Sequence, residues 1–236
     1  MRRISVSEQW RSIMDQPLIA KSLSEFETRK IRWLFPPFIP RGLITTVAGD
    51  GEAGKSSFIY DIFARVTTGQ PMPQFGDVPQ HRVPRGKIIV LSKEDDPGLM
   101  IKPRMEAAGA DMKRVRIIGR QNGGEFDVID RLDRMNELEA TIASTGNVRA
   151  LVIDPITDFG GDCNLNREES VRQFLISLAK LAGRYNIAVV NVLHLNKSSS
   201  KPVRQRILGS VALVNEPRAA LVVAKDRNKG RRYGKI

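Results

Sequence analysis

Gly49-Asp50-Gly51-Glu52-Ala53-Gly54-Lys55-Ser56-Ser57 is the stretch on which the reading of this chain turns. Its first eight residues fit G-x-x-x-x-G-K-[ST], a pattern with a mechanism when a strand precedes it and a helix follows. Both flanks qualify. Leu43 to Ala48 is an apolar, β-rich run, and Lys55 to about Thr68 has helical periodicity. In that setting the glycines let the backbone form a nest whose amides, with the positive end of the helix, surround phosphates. Lys55 offers a compact charge to the β and γ phosphates, and Ser56 offers a hydroxyl ligand to Mg²⁺. The expected ligand is ATP with Mg²⁺, cradled by residues Gly49 through Ser57.

The same glycines, Gly49, Gly51 and Gly54, also spell G-x-G-x-x-G, the dinucleotide fingerprint. That reading asks for an acidic residue roughly 20 positions on, at the end of a second strand. Here the point falls in Gly69 to Gly86, a segment with Pro71, Pro73, Pro79 and Pro84 that reads as a surface loop. The Lys-Ser pair would also have no role in a dinucleotide site, so the phosphate-loop reading is preferred.

Outward from the loop, β-rich runs alternate with helical stretches. The strands are expected at Leu43 to Ala48, Lys87 to Leu91, Val115 to Ile118, Leu151 to Ile153, Ile187 to Leu193 and Ala219 to Ala224. Helices are expected at Lys55 to Thr68, Pro97 to Ala108, Val128 to Ala143 and Arg167 to Tyr185. Such alternation predicts an α/β fold with a mostly parallel central sheet flanked by helices. Residues 1–32 are polar and read as a short N-terminal arm. Trp33 to Arg41, WLFPPFIPR, is a proline-punctuated approach that no regular helix accommodates. The domains are therefore read as 1–32, arm, and 33–236, ATPase. The final RRYGKI reads as the start of a strand without a terminating turn, as in a fragment of a longer protein.

Ala150-Leu-Val-Ile-Asp154 is an apolar strand ending in a carboxylate, the place where open α/β sheets put ligands. Asp154 is thus the candidate to hold Mg²⁺ opposite Ser56. Pro155 follows it, so that strand supplies no second acid to activate water. In a sheet where the strand Ile88 to Leu91 neighbours the phosphate-loop strand, Glu94 of LSKEDD faces the γ-phosphate and is the candidate base. Asp95 and Asp96 read as caps for the helix that starts at Pro97.

The 38 Lys and Arg against 26 Asp and Glu give a formal net charge of +12, which favours a polyanionic partner. Lys225, Arg227, Lys229, Arg231, Arg232 and Lys235 crowd the C-terminus. One cysteine, Cys163, and two histidines, His81 and His194, exclude a disulfide framework and the usual zinc spacings. No apolar run approaches the roughly 18 to 20 residues of a membrane span, so no membrane partner is expected and the cytoplasm is the default location.

Taken together, WLFPPFIPRG, GDGEAGKSS, LSKEDD, VIDPITDF, VLHLNKS and GSVALVNEPRAALVVAKD resemble the RepA-like hexameric replicative helicases and related RecA-like P-loop ATPases of phages and plasmids. The resemblance covers roughly Trp33 to Lys225. It implies Glu94 as catalytic glutamate, Asp154 as the acid of the metal site, His194 as a γ-phosphate sensor and Arg218 as an arginine finger. That finger would reach the ATP of a neighbouring subunit in a ring-shaped homo-oligomer, a hexamer by analogy. It further implies that Thr157 to Asn166 and Asn196 to Gln205 are the loops facing the ring's centre, the second being the candidate for the phosphates of single-stranded DNA. Only the second is basic, through Lys197, Lys201 and Arg204. Three functions follow in order of preference: a DNA-translocating ring ATPase, a nucleotide-gated DNA-binding or loading factor, and a small-molecule phosphotransferase. The last lacks any acceptor motif.

Overall fold

The computed structural model describes residues 19–122, 124–129, 132, 134–159, 168–196, 206, 210, 212–225 and the backbone of 232–235. Two compact units divide the chain at Lys30 and Ile31. In the first, the described residues 19–30 hold one 3₁₀ turn, Leu23–Glu25. It is closed by a capping box in which Ser22 accepts from the Ser24 amide and Glu25 accepts from the Ser22 amide.

The second unit opens with a two-stranded antiparallel pair, β1 (Trp33–Phe35) and β2 (Ile39–Pro40). This is how WLFPPFIP folds. A cis Pro36–Pro37 bond lies in the turn, and Phe35 and Phe38 pack edge to face with centroids 5.0 Å apart. The main sheet follows. β3 (Ile44–Gly49) leads through the phosphate loop into α1 (Lys55–Thr68), then β4 (Lys87–Ser92), α2 (Lys102–Ala107) and β5 (Val115–Ile117). A small antiparallel hairpin, β6 (Gly119–Asn122) and β7 (Glu125–Val128), precedes α3 (Met135–Thr145). Then come β8 (Val148–Asp154), α4 (Glu168–Tyr185), β9 (Ala188–His194), a single turn α5 (Ala212–Asn215), β10 (Ala219–Lys225) and β11 (Arg232–Lys235).

The sheet order is β11-β10-β3-β9-β8-β4-β5. Six of these strands run parallel, and β11 alone is antiparallel, paired to β10. This is the RecA-like P-loop arrangement, and all six parallel strands lie where the β-rich runs predict them. Both faces are covered, which explains the near-continuous apolar strands. Val90, Val152 and Val190 pack on one face with Ile59, Phe63 and Val66 of α1. Leu91, Ile153 and Val189 pack on the other with Leu175, Leu178 and Ala182 of α4. Successive strand residues thus serve opposite layers.

Four local expectations are corrected. The stretch Pro97 to Ala108 begins as a π-helical turn, Pro97–Ile101, before α2 takes over. The expected helix Val128 to Ala143 starts seven residues later, because Glu125–Val128 pairs as a strand with β6. The loop Gly69 to Gly86 is irregular, yet it sends Met72 and Val83 into the core. Finally, β4 does not neighbour β3: β9 and β8 lie between them. No helix among the described residues is long and apolar enough to cross a membrane.

Candidate functional site

At the C-terminal edge of the sheet, four adjacent strands end around one cleft. β3 runs into the phosphate loop, β9 ends in His194, β8 in Asp154 and β4 in Ser92, two residues before Glu94. Register fixes these neighbours: Gly49 is opposite His194 and Ser92 opposite Asp154. The cleft measures 360 Å³ and is lined by Glu52, Gly54, Lys55, Ser56 and Ser57 from the loop and helix, with Ser92, Glu94, Asp95, Arg104, Asp154 and His194 across from them. Expected residues more than a hundred positions apart meet here.

Local backbone requirements account for two of the glycines. Gly54 has φ 94°, a left-handed conformation that a side chain would strain, and it leads directly into α1. A Cβ at Gly49 would collide with the Val223 carbonyl oxygen of the adjacent strand β10.

Lys55 is buried, and its Nζ donates to the carbonyls of Gly49 at 3.0 Å and Asp50 at 2.9 Å. Burial lowers its pKa, while the Asp154, Asp50 and Glu94 carboxylates work against that shift. Ser56 Oγ donates to Asp154 Oδ2 at 2.8 Å. Burial raises the Asp154 pKa, and the Ser56 hydrogen bond and His194 oppose it. A hydroxyl and a buried carboxylate thus meet at the wall of the cleft, an oxygen pair suited to a hard divalent cation and its waters.

His194 stands between the ammonium and the acid. Its Nδ1 is 3.4 Å from Lys55 Nζ, and its Nε2 is 3.5 Å from Glu94 Oε2. Glu94 lines the cleft although β4 is three strands from β3. Its carboxylate is half exposed, at 55%. The neighbouring acids have separate work. Asp96 Oδ1 accepts from the Gly98 and Leu99 amides as a helix cap. Asp95 is not a cap but pairs with Arg104 at 2.6 Å.

Arg218 lies elsewhere. Its amide donates to the Ile44 carbonyl at 3.0 Å, which holds it at the entry end of β3 and β10 with its side chain exposed. Five strand residues, about 16 Å, separate Ile44 from Gly49, so Arg218 does not join the cleft of its own chain. Lys197, Lys201 and Arg204, like residues 160–166 of the other expected loop, lie outside the described residues. So do the side chains of the C-terminal basic cluster beyond Lys225.

Two contributors escaped sequence reasoning. Arg206 pairs with Asp50 of the phosphate loop and donates to the Asn196 carbonyl at 3.2 Å and 3.0 Å. Tyr60, on α1, is buried with its hydroxyl unpartnered among the described residues, and burial and the nearby Asp154 and Asp95 raise its pKa. Neither carries a local signal: Arg206 finds its partner 156 residues away.

A phosphate loop, its lysine and a Ser-Asp oxygen pair at the strand ends of a RecA-like sheet define a nucleotide-binding protein of the P-loop ATPase class. The family described as "AAA domain", itself a P-loop ATPase family, matches residues 12–200, and the chain belongs to it. No curated protein matches the sequence.

Proposed function

We propose that the chain hydrolyses Mg-ATP and works as one subunit of a ring-forming motor that moves on single-stranded DNA. The observation that carries the catalytic part is the convergence of Lys55, Ser56, Asp154, Glu94 and His194 from four neighbouring strand ends into one cleft.

In this reading the amides of Gly49 to Ser57 and the start of α1 bind the phosphate chain. Lys55 neutralises the β and γ phosphates. Ser56 and Asp154 would hold Mg²⁺, which when bound offsets phosphate charge. Glu94 orients a water and accepts its proton as the water oxygen bonds to the γ-phosphorus. The bond from γ-phosphorus to the bridging oxygen breaks, leaving ADP and phosphate. His194, within reach of both Lys55 and Glu94, reports the state of the γ-phosphate to the chain beyond Leu195.

The ring and DNA parts rest on other supports. Arg218 sits away from its own cleft, as a finger for a neighbouring subunit's ATP must. The proposed DNA residues Lys197, Lys201 and Arg204 fall between Asn196 and Arg206, and Arg206 ties that segment's base to Asp50 of the phosphate loop. The test is steady-state phosphate release with and without single-stranded DNA over a range of protein concentrations. Turnover that rises with both supports the motor. Tight nucleotide binding with slow, DNA-independent turnover supports the loading-factor reading instead.

A further inference from the structure

The opposite edge of the sheet, where the parallel strands begin, is lined with arginines. Arg41 precedes β3, Arg149 is the second residue of β8, Arg85 precedes β4 and Arg114 precedes β5. Arg32 joins them through the β1–β2 pair, its carbonyl accepting from the Arg41 amide at 2.7 Å. Because β3, β9, β8, β4 and β5 are successive neighbours about 4.8 Å apart, these side chains share one rim. It lies roughly 16 Å, five strand residues, from the Asp154 end of β8.

Among the described residues the rim is short of compensating acid. Arg41 donates through Nε and Nη2 to the Asn186 carbonyl at 3.1 Å and 3.0 Å, a neutral partner. Arg32 and Arg149 have no ion pair among the described residues. Arg149 Nε is buried and meets no acceptor among the described residues, and its side chain lies across Gly86, where a Cβ would collide with it. Burial lowers the Arg41 pKa, and Arg149 and Arg32 lie close enough to lower it further by charge repulsion. Farther along, a single carboxylate, Asp111, serves both Arg85 at 3.2 Å and Arg114 at 3.1 Å.

Gathering guanidiniums with too few acids is unfavourable unless an anion completes the set, and the planar fork of arginine suits phosphate oxygens in particular. A row of such groups over several strands matches a ligand with repeated charges rather than one small ion. We propose that this rim is a second nucleic-acid face, which takes the phosphate backbone on the side of the domain away from the nucleotide cleft. It is independent of ATP hydrolysis and of the segment 196–206.

The probe is a fluorescein-labelled single-stranded oligonucleotide, read by anisotropy over a salt series without nucleotide. Arg32→Gln/Arg149→Gln should lower the slope of log affinity against log salt by about 1.4, two phosphates at about 0.7 each for single strands. Arg149→Lys should retain the slope. Exposed Arg32→Gln alone should lower it by about 0.7, which keeps the test valid if the double variant folds poorly. Arg218 shares this edge and stays unaltered, and basal ATP turnover should be unchanged in these variants. An unchanged slope in the folded double variant overturns the proposal. So does equal competition by polyglutamate at matched charge, which would mean an acidic-protein surface with no preference for phosphate.

Discussion

His194 ends β9 and Glu94 follows the end of β4 by two residues, with β8 between those strands, yet His194 Nε2 lies 3.5 Å from Glu94 Oε2. On its other side the same ring sits 3.4 Å from Lys55 Nζ. The imidazole therefore links the group proposed to neutralise phosphate with the group proposed to activate water. His194→Asn should leave nucleotide affinity within a few-fold but reduce turnover by about tenfold to a hundredfold, 1.4 to 2.7 kcal/mol. It should also weaken stimulation by DNA. Nucleotide titration beside phosphate release measures both, and a variant with full, DNA-stimulated turnover would remove His194 from the mechanism.

Glu94→Gln should bind Mg-ATP and lose turnover by roughly 10² to 10⁴, the usual contribution of a positioned base. The amide keeps size and polarity but does not take the proton. Asp95 is committed to Arg104 and Asp96 to the helix cap, so neither should substitute. Normal turnover in this variant would move the base elsewhere.

Asp154 carries a pH signature. Burial raises its folded pKa above the ordinary aspartate value, so the folded state binds the proton more tightly than the unfolded one. That contribution favours the fold below the unfolded pKa and is lost as pH rises through the raised folded pKa. Asp154→Asn should therefore make the protein without nucleotide more heat-stable at neutral pH, with the gain shrinking as pH falls toward the ordinary aspartate range. The same variant should lose magnesium-dependent nucleotide binding. Thermal melts over a pH series check the first claim, and a variant less stable at neutral pH contradicts it.

The fold was legible because the central parallel strands β3, β4, β8 and β9 are covered on both faces. Runs such as Ala150-Leu-Val-Ile-Asp154 are apolar throughout and end at the ligand edge. Helix α1 was legible at both ends, since Gly54 and Gly69 bracket it. The β6–β7 hairpin was not: its residues, GRQN and EFDV, are mostly polar and exposed. The apolar Val128, Ile129, Leu132 and Met135 imitate helical spacing across its exit. Strand order was also hidden. Periodicity locates strands without ranking them, so the premise that β4 adjoins β3 failed even though Glu94 still reaches the cleft. The pairing of Arg206 with Asp50 depends on that same long-range order.

Arg218 should act between subunits. Mixing Arg218→Ala chains, which keep the phosphate loop, with Lys55→Ala chains, which keep the arginine, should restore activity that each lacks alone. A finger contributes about 10³ to 10⁵ in turnover, so a minority of repaired interfaces should rise above background in a phosphate-release assay. Concentration-independent turnover by strict monomers, or no recovery despite co-assembly, contradicts the finger.

The most direct test of the account is phosphate release by the wild-type chain and by Lys55→Ala, each with and without single-stranded DNA. Lys55 is buried at the convergence of β3, β8 and β9, and no other described lysine lines the cleft. Its loss should cost several kcal/mol of transition-state stabilisation, about 10² to 10³ or more in turnover. The expected result is DNA-stimulated ATP hydrolysis that falls to background in the variant under both conditions. Hydrolysis that persists near the wild-type level in Lys55→Ala would contradict the assignment of this cleft as the site of ATP hydrolysis.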